Sequence, residues 1–129
     1  MRERWGAGYL GLVALGVPGW WLLMAVLPPF RAWFDLGPPS VLDAFRPADV
    51  GLCLVAAAAS LAAGLRHPSA RALAGATTGA LGYATILTAT LAHRSGSGWV
   101  GFVVMLLGTA GAGLVTTRVG TPAPRRADP

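Results

Sequence analysis

Four stretches of uncharged, mostly apolar residues divide this chain: Trp5 to Leu27, Val50 to Leu65, Ala72 to Ala92, and Trp99 to about Thr117. Charged residues do not recur at helical period inside these stretches but cluster between them. A water-facing helix would carry a polar stripe along its length. At about 1.5 Å of rise per residue, runs of roughly 17 to 25 residues match a hydrocarbon core about 30 Å thick. A backbone in lipid must satisfy its own hydrogen bonds, so each run is expected to be helical. The pattern predicts an all-α, four-helix transmembrane bundle. Its spans cover about 6–27, 49–66, 72–92 and 99–117, in one membrane domain over 1–117.

The second run holds 16 residues, or about 24 Å of helix. It is expected to draw Asp49 and Arg66 to the hydrocarbon boundary, with bilayer thinning or snorkelling of Arg66 relieving the mismatch. No charged residue is then expected inside any span. Arg66 to Arg71 contains Pro68 and predicts a tight turn. His93 to Gly98 predicts a flexible one, so helices two, three and four should be antiparallel neighbours. The longer connection, Pro28 to Pro47, alternates Phe30, Trp33, Phe34, Val41, Leu42 and Phe45 with polar residues and prolines. Ser40 followed by Asp43 resembles a capping box opening a short interfacial helix that Pro47 would limit. The tail, 118–129, is rich in Pro and Arg and is expected to be disordered. The first apolar run lacks a small-x-small site before Pro28-Pro29, which favours a retained helix over a cleaved signal.

Composition sharpens this reading. The chain of 129 residues is 54% hydrophobic and 12% charged, about half the charge of a soluble domain, which is roughly 25%. The net charge of +5 comes from ten arginines and no lysine. These are scattered in ones and twos and form no basic stripe to track phosphates, so nucleic acid is not an expected partner. The arginines instead give orientation. Arg2, Arg4, Arg66, Arg71, Arg118, Arg125 and Arg126 fall on one side, and Arg31, Arg46 and Arg94 on the other. The positive-inside rule puts the richer side, with both termini, in the cytoplasm. Trp5 then marks the inner interface, and Trp33 and Trp99 the outer one. Cys53 stands alone, which excludes an intramolecular disulfide or thiol relay.

Small residues at helical spacing predict the packing faces. Helix two offers Ala56, Ser60 and Gly64; helix three Gly75 and Gly79, then Gly82 and Tyr83; helix four Gly101, Gly108 and Ala112. Pro18-Gly19 predicts a kink in helix one. These faces suit one compact bundle and a homo-oligomer equally. Helix three also carries Thr77, Thr78, Thr85, Thr88 and Thr90. A polar lining is one reading, but back-bonding to the carbonyl one turn earlier is the simpler one.

Candidate chemistry is sparse. The expected ligand-binding residues are Asp49, His93 and Arg94 at the outer rim, with Tyr83 and Trp33. The rim charges also complement helix dipoles without any ligand, Asp49 in a first turn and His93 and Arg94 in a last turn. Asp35, Asp43 and Arg46 lie on the same side. No catalytic residue, metal-ligand spacing or cofactor motif is present in the sequence, and the glycines lie inside apolar runs, away from any phosphate-cradling loop. Trp20 and Trp21 sit deeper than an interfacial belt. They are expected to pack at the kink or to stack on a flat apolar ligand, and their indole N–H groups need partners either way.

The small multidrug transporters are similar in size and helix count, but that family depends on a glutamate in its first helix. Here the first span has none, and Glu3 is the chain's one glutamate. Pro47-Ala48-Asp49, Tyr83-Ala84-Thr85, and Gly96-Ser97-Gly98-Trp99 with Met105 give the chain a resemblance to the small four-helix integral membrane proteins of GC-rich bacteria. That resemblance implies a bacterial inner membrane and no particular activity. The leading expectation is a non-enzymatic membrane protein, either an accessory subunit or a binder of lipid or another apolar small molecule. An oligomeric transporter or channel comes second. A membrane enzyme using an Asp49, His93 and Arg94 cluster comes third.

Overall fold

Prolines and glycines set the helix boundaries. The computed structural model describes residues 2–34 and 39–119, and these form five helices: α1 (Arg2–Val26), α2 (Pro28–Trp33), α3 (Pro39–Gly64), α4 (Ala70–Ser95) and α5 (Trp99–Arg118). Leu27 is extended, as a residue before proline prefers, and Pro28 and Pro29 then occupy the first positions of α2, where no N–H is missed. The α3–α4 turn closes with His67 N–H donating to the Ala62 carbonyl (2.8 Å) and Arg66 N–H to the Ala63 carbonyl (3.3 Å). Arg66 sits at φ 54°, the left-handed position of a Schellman cap. The α4–α5 turn places Gly96 and Gly98 at φ 72° and 79°, where glycine alone avoids strain.

Three helices are long and apolar enough to cross a membrane: α1 from Arg4 to Val26, α3 from Asp43 to Gly64, and α5. α4 matches α3 in length, at 26 residues each, but its threonines make it less apolar. The long helices alternate in direction around a ring, α1 packing on α3, α3 on α4, α4 on α5, and α5 back on α1. At one end Ala7, Ala63, Ala70 and Val119 meet. At the other end Met24, Phe34 and Ala92 meet, with Trp20, Trp21 and Phe45 around them.

The second span differs from the expectation of 49–66. α3 starts at Pro39 and continues through Pro47. A proline inside a helix removes one backbone bond and crowds the preceding turn. Here the turns before it are held by tertiary packing, since Val41 and Phe45 lie against the Met24 and Phe34 cluster. Proline therefore does not end the helix, and no short span needs a thinned bilayer. The residues expected to form an interfacial segment instead lie in α2 and the first turns of α3. α1 likewise runs unbroken past Pro18. Asp35 and residues 120–129, most of the expected tail, lie outside the described residues.

Small residues fill the interior. Ala56, Ala59, Ala74, Ala92 and Ala112 are fully buried, while Leu12, Leu15, Leu54, Leu61, Ile86 and Leu107 are exposed. Small inside and large apolar outside reverses the order of a water-soluble bundle and lets helix backbones approach closely. Ser60 donates to the Ala7 carbonyl (2.8 Å), and a Cβ at Gly11 would stand 3.2 Å from its hydroxyl. On α4 the packing glycines are Gly75 and Gly82, facing the methyls of Thr116 and Thr109, whereas Gly79 faces open space. Gly64 also has nothing within 4 Å, so the packing face of α3 ends before it.

Candidate functional site

The one buried acidic side chain among the described residues is Asp49, 6% exposed. It lies well inside α3, so the expectation of spans free of charge is corrected: the helix starts ten residues earlier and encloses this carboxyl. Its Oδ2 accepts a hydrogen bond from Trp21 Nε1 of α1 at 2.8 Å. Among the described residues Trp21 is its hydrogen-bond partner, and Oδ1 is left without one. The Arg46 guanidinium, one turn before Asp49, lies 5.0 Å above the Trp21 ring and pairs with Asp43 at 3.2 Å. Trp21 is thus held on a face by a cation and at its N–H by a carboxyl.

Aromatic rings extend from this pair. Trp20 meets Trp21 edge to face at 4.9 Å and Phe34 at 5.6 Å. Phe34 meets Phe30 at 4.9 Å, a separation normal for aromatic pairs. Phe34 is held where it is by Gly101 of α5: a Cβ there would stand 3.2 Å from the Phe34 ring.

Beneath this cap is a partly enclosed cavity of about 240 Å³ among the four long helices. Its walls include Val17 and Trp20 of α1, Phe45 of α3, Leu81 and Thr88 of α4, and Met105 of α5, with Asp49 as the one ionisable group among the described residues. Its position follows from how α1 meets α5. Near the start of α1, Gly6 fits against Val115 and Val119, and Tyr9 lies on Gly111 while donating to the Gly108 carbonyl (2.7 Å). Beyond Tyr9 the lining of α1 and α5 includes three glycines, Gly16, Gly101 and Gly108, and the cavity lies beside them.

The threonines of α4 divide by role. Thr78 contacts Thr116 at 2.9 Å and Thr85 contacts Thr109 at 2.8 Å. Each of these hydroxyls also approaches the carbonyl four residues earlier. A hydroxyl has one proton, so in each pair one threonine donates within its helix and the other donates across. Thr88 back-bonds to Ala84 and faces the cavity. Thr90 back-bonds on the exposed surface.

The other expected site residues do not converge. His93 and Arg94 are exposed on the last turn of α4, and no hydrogen bond among the described residues joins either to Asp49. Tyr83 and Trp33 are 69% and 61% exposed, outside the cavity. Trp21, Phe34, Phe45, Thr88 and Met105 surround Asp49 or its cavity instead. Of these, Trp21 and Thr88 carried a signal in the sequence: the need of a deeply placed indole N–H for an acceptor, and the polar-lining reading of the helix-three threonines. No known protein family, curated protein or solved structure matches this chain.

Proposed function

We propose that this is an integral membrane protein that binds an apolar small molecule or lipid chain in the cavity among its four long helices. The cavity itself carries the reading. Most of the interior is filled by alanines and threonines, but here about 240 Å³ is left open beside aromatic walls, close to the lower end of small-molecule sites at roughly 300 Å³. In this reading all four long helices cross the bilayer. α4 is packed between α3 and α5 and equals α3 in length, and its threonine hydroxyls are satisfied by carbonyls or by threonines of α5. Arg4, Arg66, Arg71 and Arg118 flank one end, and Arg31, Arg46 and Arg94 the other, so the positive-inside rule puts the first end in the cytoplasm of a bacterial inner membrane.

Native mass spectrometry of the protein extracted with its own lipids tests the binding reading. A retained small molecule or lipid is expected, and it should be lost in Gly16→Leu. Gly16 lines the cavity and a Cβ there meets no atom within 4 Å, so the larger side chain has room to fill the site. A bare protein mass would count against the reading, and a stable second protein would favour an accessory subunit.

A further inference from the structure

We propose, building on the apolar-ligand reading, that the occupant of this cavity carries a cationic amine whose charge is met by Asp49. Asp49 is nine-tenths buried, lines the cavity, and uses only Oδ2 on Trp21. No buried side-chain oxygen or nitrogen among the described residues is both sealed off and unpaired, so the unpaired Oδ1 is not sealed off, and Asp49 is part of the cavity wall. An apolar cavity is a costly place for a carboxylate unless a partner compensates it. Arg46, one turn away on α3, does not do so, because its guanidinium is turned onto the Trp21 face and Asp43. With Asp49 ionised, Asp43, Arg46 and Asp49 among the described residues leave one negative charge uncompensated at this corner. An amine would supply a charge-assisted hydrogen bond to Oδ1. The Trp20, Phe34 and Phe45 rings around the same space would favour a cation over an anion through their π faces. A neutral ligand without a donor would leave Oδ1 unpaired, a neutral hydroxyl would pair with it but leave its charge unmet, and an anionic ligand would face like charge.

Three probes sharing one aromatic body test this: 1-naphthylmethylamine, 1-naphthalenemethanol and 1-naphthoate. Each is titrated against the full chain in neutral-lipid nanodiscs, with empty nanodiscs as the partition control. Binding is read by Trp fluorescence and confirmed by ligand-observed NMR. The amine is expected to bind about tenfold or more tighter than the alcohol, and the carboxylate weakest. Asp49→Asn should bring the amine down to the affinity of the alcohol, while Asp43→Asn leaves the order unchanged. Trp21→Phe keeps the carboxylate and should keep the preference for the amine, which guards against a mere packing defect in Asp49→Asn. Equal binding of amine and alcohol, or a preference that survives Asp49→Asn, would overturn the amine assignment while leaving an apolar site. Binding of none of the three would remove both.

Discussion

At several single positions the contacts are tight enough to predict energies. The Tyr9 ring lies so close over Gly111 that any Cβ there would overlap it. Gly111→Ala should therefore lower stability by about 1–3 kcal/mol, the usual cost of forcing extra volume into a packed site. The measurement is the unfolding midpoint in detergent, with Gly79→Ala as a control facing open space. The control should lose nothing. Tyr9→Phe keeps the ring but removes the hydroxyl from the Gly108 carbonyl, and should cost about 0.5–1.5 kcal/mol. Equal midpoints for Gly111→Ala and Gly79→Ala would mean that Tyr9 can move aside freely. Gly111 was not among the glycines the sequence marked as packing positions, because its role depends on an aromatic ring 102 positions away in the chain.

Pairs of helices are held by repeats that spacing can suggest but not assign. On α4, Gly75 and Thr78 recur seven residues later as Gly82 and Thr85, and on α5 Thr109 recurs as Thr116. In antiparallel register Thr109 and Thr116 each set a methyl over an α4 glycine and a hydroxyl against an α4 threonine. A double-mutant cycle of Thr85→Val and Thr109→Val should give a coupling of about 0.6 kcal/mol, with roughly 1.7 as a ceiling, as for other hydrogen bonds within membranes. Thr90→Val should be near neutral, since its hydroxyl only back-bonds on the surface. A coupling of zero would reduce the threonine pairs to independent back-bonds. Back-bonding was foreseeable from residue type, but the cross-helix half of the pattern required knowing that α4 and α5 share this register.

For the molecule as a whole, the alternating directions of the long helices make topology testable at the two ends of α4. In a Cys53→Ala background, Ser95→Cys and His67→Cys place single thiols at exposed sites on opposite sides of the bundle. A membrane-impermeant maleimide added to intact spheroplasts should label position 95 and not position 67. Labelling of both from outside would mean that α4 does not cross, and the reverse labelling would invert the orientation.

The distribution of charge along the chain was enough to give an all-helical fold with helices long and apolar enough to cross a membrane, the short turns and the end richer in arginine. A backbone with few charges over some twenty residues has few other ways to satisfy its hydrogen bonds in lipid. Charge placement did not give the start of α3. Asp43, Arg46 and Pro47 looked like the flank of a span, yet packing against Met24 and Phe34 carries the helix through all three. That shift turned Asp49 from a rim residue into a buried carboxyl facing Trp21. Local sequence determines which segments are helical because periodicity and hydropathy act over neighbouring residues. The cavity and the burial of Asp49 in its wall were decided only when four helices closed around them, because their walls come from side chains far apart in the chain.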